Sequence, residues 1–102
     1  MVGPRDDSVE VTGFSWDYEE DGNIKHIARH RVSRSDLEEV GSVAPRFFRN
    51  SRTEGASHVM IAPNRKGRFM RAAIVEGPMI GKWYVVTAHW LSRRRGERLY
   101  DS

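Results

Sequence analysis

Polar and apolar residues along this chain follow two different periods, and the change from one to the other near Pro45 divides it into two parts. At the front, Glu10-Val11-Thr12-Gly13-Phe14-Ser15-Trp16 alternates polar and apolar side chains, the pattern of a short strand. Asp17 and Glu20 then form an Asp-x-x-Glu capping-box pair, which predicts a helix running to about His30. Ile24, Ile27 and Ala28 stand at i, i+3 and i+4 and supply its buried stripe. Gly22 weakens its first turn by roughly 1 kcal/mol relative to alanine. A second short helix is expected after Ser33 or Ser35, through Leu37 and Val40, stopping at Gly41. Its acidic residues, Asp36, Glu38 and Glu39, fall partly near the positive N-terminal end, where they are favourable.

Beyond Pro45 the period is two. Arg46-Phe47-Phe48-Arg49 reads as a strand, and His58-Val59-Met60-Ile61-Ala62 as a stronger one. Pro63-Asn64-Arg65-Lys66-Gly67 is a turn, and Arg68 to Glu76 is the return strand of a hairpin. Gly77-Pro78-Met79-Ile80-Gly81 turns the chain again, Lys82 to Trp90 forms the next strand, and Ser92 caps a last helix ending near Tyr100. The order predicts an α+β domain: a small antiparallel β-sheet of three to four strands, two N-terminal helices and a short C-terminal helix, with the helices on one face. In the last strand Tyr84, Val86, Ala88 and Trp90 share one side. Trp83, Val85, Thr87 and His89 share the other. The first set is the more apolar and should face the helices.

Length and composition narrow the picture. A chain of 102 residues holds one domain with one modest core, placed at residues 9–102 behind a polar, disordered leader at residues 1–8. There is no cysteine, so disulfides and thiolate chemistry are excluded, and the chain fits a reducing compartment such as the cytoplasm. No apolar run approaches the roughly 20 residues of a membrane span. The formal net charge of +3 hides an asymmetry. Residues 1–59 carry eight Lys/Arg against eleven Asp/Glu, a net of −3, whereas residues 60–102 carry nine against three, a net of +6. A basic half in a small domain points to a polyanion, most often nucleic acid, or to an acidic protein partner.

The candidate chemistry gathers in that basic half. His89 ends a strand on its more open side, where an imidazole can act as acid or base, and Arg93, Arg94 and Arg95 follow at once. Arg68 and Arg71 lie on opposite faces of the neighbouring strand. One of them is suited to stabilising a phosphoryl transition state, with Arg71 preferred, and Arg68 beside Arg65 and Lys66 suits phosphate binding. Glu54, in the polar loop with Arg52, is a candidate general base. His26 and His30 share one helix face, away from the apolar stripe. With no cysteine and no third ligand evident, they are expected to support the site or a partner rather than hold a metal. Tyr100 is placed to pack over the sheet or to orient a substrate. No glycine-rich phosphate loop, nucleophile elbow or zinc signature is present, and no cofactor is expected.

Three groups of residues carry a resemblance. They are Phe14-x-Trp16-Asp17, then Asn23-Ile24-x-His26-Ile27-x-x-His30-x-Val32-Ser33 with Glu38-Glu39, and finally Thr87-Ala88-His89 before an arginine-rich helix with Glu97-Arg98-x-Tyr100. Together they resemble the BrnT family of bacterial type II toxins, whose fold is similar to that of RelE-type ribonucleases. The resemblance implies a toxin that cleaves RNA without a metal, arrests translation and growth, and is neutralised by a cognate antitoxin. In a ribonuclease reading, charge, residue type and strand register assign His89 to protonate the leaving 5′-oxygen and Glu54 to activate the 2′-hydroxyl. Arg71, with Arg52 or Arg68, would stabilise the phosphorane. Arg65, Lys66, Arg93, Arg94 and Arg95 would hold the backbone, with Trp16, His26, His30 and Tyr100 in support. The chain departs from the family twice: Arg29-His30-Arg31 replaces a Lys-His-Gly turn, and Ala88-His89 replaces Ala-Arg. The alternative reading is a non-catalytic nucleic-acid-binding or protein-interaction module on a toxin-like fold.

Overall fold

A computed structural model describes residues 2–52 and 54–102. The stronger of the two strand signals that follow Pro45 lies one strand in from the edge of the sheet. β3 (His58–Pro63) is buried from His58 to Ala62, because both faces of the sheet are covered. Around it lie β1 (Gly13–Ser15), β2 (Arg46–Arg49), β4 (Phe69–Glu76) and β5 (Lys82–Trp90), in the spatial order β1-β5-β4-β3-β2. β2 to β5 pair antiparallel, but β1 runs parallel to β5, with Gly13 opposite Lys82 and Ser15 opposite Tyr84.

The expected RelE-like plan of three to four antiparallel strands is therefore overturned. The sheet has five strands and is mixed. A three-residue strand gains little from its own pattern. Its pairing is secured by non-local bonds, Thr12 N–H and hydroxyl to the Gly81 carbonyl (2.8 and 3.1 Å). The helices are also not confined to one face. Ile27 of α1 (Asn23–Ala28) and Leu37 and Val40 of α2 (Arg34–Val43) pack with Met60, Ala62, Met70, Ala72, Ile74, Val85 and Ala88. Leu99 of α3 (Arg93–Tyr100) packs with Leu91, Phe48, Val59 and Ile61 on the opposite side. Gly96 permits this approach, since a Cβ there would stand 2.3 Å from the Phe69 Cβ.

Local chemistry explains the helix boundaries. α2 opens with a capping box: Ser33 Oγ accepts from Asp36 N–H (3.2 Å) and the Asp36 carboxylate accepts from Ser33 N–H (2.9 Å). α1 starts at Asn23 rather than at Asp17. The buried Asn23 amide accepts from Asp17 N–H and donates to the Ser15 carbonyl, both at 2.9 Å, so residues 17–22 fold back as a turn. Asp17 caps Glu19 N–H within that turn, and Glu20 pairs with Lys25 instead of closing a capping box.

The faces of β5 differ from strict alternation as well. The β4–β5 register shifts between Ala73 and Ile74, so Thr87 pairs with Ala73 while Val85 pairs with Ile74, leaving Val86 as an extra residue. Trp83 and Val85 consequently join Ala88 in the core beneath α1 and α2, where alternation had set them on the other face. Residues 2–8, read as a leader, run along β2: Gly3 N–H donates to Arg49 O, Arg49 N–H to Pro4 O and Asp6 N–H to Phe47 O, each at 2.8 Å. Among the described residues no helix is long and apolar enough to cross a membrane.

Candidate active site

Arg71 lies mid-strand on β4, directly between Ile61 of β3 and His89 of β5. Its flanking residues Met70 and Ala72 belong to the core under α1 and α2, so alternation sends Arg71 and His89 to the face that α3 shares. There Arg71 is 1% exposed. A buried guanidinium needs a counter-charge. Glu54 supplies it, with Oε1 accepting from Arg71 Nη2 at 2.6 Å. The other terminal nitrogen, Nη1, is buried and has no hydrogen-bond partner among the described residues.

Asn50 shapes the loop that delivers Glu54. Its Nδ2 donates to Glu54 Oε1 (3.1 Å) and to Ala56 O (2.9 Å), and its Oδ1 accepts from Arg52 N–H (3.0 Å). Burial alone would raise the Glu54 pKa. The bond and charge of Arg71, with Asn50 and Arg52, outweigh it and hold the carboxyl below its ordinary value. Glu54 is thus an ionised partner for Arg71. The 2′-hydroxyl base role expected of it is in competition with that bond.

His89 has the opposite electrostatics. Burial pushes its pKa down first, and then Arg71, His30, Arg95 and Arg52 add to the shift in that order. The His89 imidazole thus stands in the positive field of Arg71, Arg95 and Arg52, with His30 beside it. His30 reaches it because β1 extends along β5 only as far as Tyr84. The turn after α1 occupies the edge beyond, and Trp90 Nε1 donates to Arg31 O there (3.2 Å). The His30 and His89 ring centres stand 6.2 Å apart, and those of His26 and His30 5.9 Å. Arg31 holds this turn with φ at 59°, in the left-handed region. Among the described residues no three His, Asp or Glu groups are arranged to hold a metal ion.

The structure thus brings together His89, Arg71, Glu54, Arg52, Arg95 and His30, with His26 behind. The remaining expected residues lie elsewhere. Arg68 stacks its guanidinium 4.2 Å above the Trp90 ring, on the face away from Arg71. Lys66, Arg68 and Arg93 line an open depression of about 510 Å³ with Phe69 and Glu97. Arg65 anchors the β3–β4 turn through its N–H to Glu39 of α2 (2.8 Å). Arg93 and Arg94 are exposed on α3, Arg93 paired with Glu97 at 2.8 Å. Trp16 packs beside the core of α1 and α2, with the Arg34 guanidinium 5.7 Å from its ring. Tyr100 has a packing role: its hydroxyl donates to Ala44 O (2.6 Å), and its ring contacts Phe69 and Arg46.

Sequence reasoning missed Asn50, whose side chain organises the Glu54 loop, and a second polar cluster at the other end of the sheet. In that cluster His58 Nε2 meets Asp6 Oδ2 at 2.9 Å and Nδ1 meets Ser57 Oγ at 2.8 Å. Hydrogen bonds from Ser8 and then from His58 hold the Asp6 carboxyl well below its usual range. The only signal available for Asn50 was an asparagine two residues before a charged loop residue. Comparison with protein-family models, with curated proteins and with solved structures finds no match to this chain.

Proposed function

We propose that the protein is a metal-independent endoribonuclease acting as the toxin of a bacterial type II toxin–antitoxin pair, in line with the BrnT resemblance of its sequence. One observation carries the reading: a buried arginine, pinned through one nitrogen by Glu54 and with its other unpartnered among the described residues, is paired across the strands with a histidine whose pKa is lowered. Arg71 supplies a fixed positive charge to a phosphate and to the phosphorane that forms from it. His89 moves a proton, and Arg52 and Arg95 add field. Glu54 holds Arg71 in place. Lys66, Arg68, Arg93 and Arg94 offer cations to the backbone of the strand outside the reacting phosphate. The reaction is attack of the 2′-hydroxyl on its own phosphate, which releases a 5′-hydroxyl and leaves a 2′,3′-cyclic phosphate. Such an enzyme acts on cytoplasmic RNA, and a cognate antitoxin neutralises it by covering the basic face.

The test is incubation of the purified protein with RNA in EDTA, followed by end-group analysis. Cyclic phosphate ends are expected, a 2′-deoxy substitution at the cut nucleotide should block cleavage, and His89→Ala should slow it by about 100-fold or more. Equal cleavage by His89→Ala would remove His89 from the mechanism. Binding of RNA without any scission would replace the enzyme by the non-catalytic binding module. Induced expression in bacteria checks the toxin role, since a working toxin arrests growth and its antitoxin restores it.

A further inference from the structure

Transesterification moves two protons, one from the attacking 2′-oxygen and one to the departing 5′-oxygen. A site with one mobile imidazole performs half of this. We infer that His30 is a second catalytic residue and works with His89 as an acid–base pair, His89 accepting the 2′-hydroxyl proton and His30 donating to the leaving 5′-oxygen. The inference rests on the ribonuclease reading above and assigns the proton transfers within it.

Geometry favours this pair over the others available. The two ring centres are 6.2 Å apart in a tilted contact, close enough for a single phosphate seated over the pair to reach both imidazoles. They come from different elements, His89 from β5 and His30 from the turn after α1, so each ring is positioned independently of the other. Glu54 is a poor competitor for either role, because its bonds to Arg71 and Asn50 fix the carboxylate and hold its pKa below the ordinary value. Arg52, Arg71 and Arg95, the other charged groups acting on His89, carry donors and no acceptor and serve as cations. His26 supports His30, with the rings at 69° in an edge-to-face contact. Burial, and then Arg71, His30, Arg95 and Arg52, lower the His89 pKa and so favour the unprotonated form a base requires. The exposure of His30 lets solvent reload it with a proton.

The step balances. The 2′-oxygen gives its proton to the His89 imidazole as its bond to phosphorus forms. The bond from phosphorus to the 5′-oxygen breaks, and that oxygen keeps the electron pair and takes a proton from the His30 imidazolium. His89 ends protonated and His30 neutral, and exchange with water restores both.

The experiment compares two substrates, an ordinary RNA and the same RNA with sulfur in place of the bridging 5′-oxygen at the cut site. A thiolate leaves without a proton, so only the acid becomes dispensable. His30→Gln and His30→Asn should cut ordinary RNA at least 100-fold more slowly than wild type and recover to within about 10-fold on the sulfur substrate. His89→Gln should remain slow on both. Thermal unfolding of the His30 variants should match wild type, because this side chain lies at the surface. Full activity of the His30 variants on ordinary RNA, or equal losses on both substrates, overturns the role of His30 while leaving the ribonuclease reading intact. Failure of wild type to cut either substrate overturns the ribonuclease reading itself, and the inference with it.

Discussion

At the scale of single residues, the site is organised by one buried charge. Arg71 is tolerated on an inner strand only because Glu54 reaches it through the loop before β3. Removing the carboxylate leaves a buried cation without its partner. Glu54→Ala should therefore lower stability at neutral pH by about 3 kcal/mol, measured by urea unfolding. The loss should depend on pH. The folded pKa of Glu54 lies below its ordinary value, so its contribution is complete above the usual carboxylate range, roughly 4.3, and is lost as pH falls through the lower folded value. The gap between wild type and variant should narrow on acidification, and a gap independent of pH would deny the ion pair its role. His89 carries the same direction of dependence for a different reason. Its folded pKa is depressed, so protonation opposes folding and its effect appears as pH falls through the ordinary histidine range.

At the scale of elements, the long patterns were legible and the short connections were not. The run from Lys82 to Trp90 and the hairpin before it follow from period-two alternation, and Ser33 and Ser92 announce α2 and α3 as caps. Alternation also separates Arg68 from Arg71. It does not say which of them meets His89, because that depends on pairing register between two strands. The extra residue at Val86 leaves no mark in the sequence, since a valine fits a regular strand as well as a bulge. β1 was read as an ordinary front strand, but three residues carry no information on a partner 69 positions away. The Asp17–Glu20 pair imitates a capping box, and tertiary bonds from Asn23 override it. The turn after α1 offers a direct check on this kind of override. Arg31 holds φ at 59°, a conformation costing about 1–2 kcal/mol in an L-residue. Glycine removes that cost but adds about 0.5–1 kcal/mol of unfolded-chain entropy. Arg31→Gly should thus raise the melting temperature by about 2–6 °C. A lower melting temperature would show that the Arg31 side chain secures the turn.

At the scale of the whole molecule, charge is distributed by chain position and then mixed by folding. The acidic first part contributes Arg52, Glu54 and His30 to a site otherwise drawn from the basic second part. Outside that site Arg93 and Arg94 face solvent on α3, which makes them suited to long-range attraction of a phosphate backbone rather than to chemistry. With a 2′-deoxy strand that resists cleavage, binding should weaken linearly in log salt. Replacing Arg93 and Arg94 together by Gln should reduce that slope by up to about 2 and weaken all sequences alike. An unchanged slope would move the binding path off α3.

The parallel pairing of β1 with β5 also sets the order of assembly. Thr12 and Gly81, 69 positions apart, must meet before the edge of the sheet closes. Closing so large a loop early costs entropy that only later packing offsets, which favours prior formation of the local β3–β4–β5 meander. A nascent chain that has emerged only as far as β4 has Glu54 and Arg71 but no His89, no Arg95 and no strand against which β1 and the turn carrying His30 can dock. The candidate site would thus be completed in one late step rather than built up gradually.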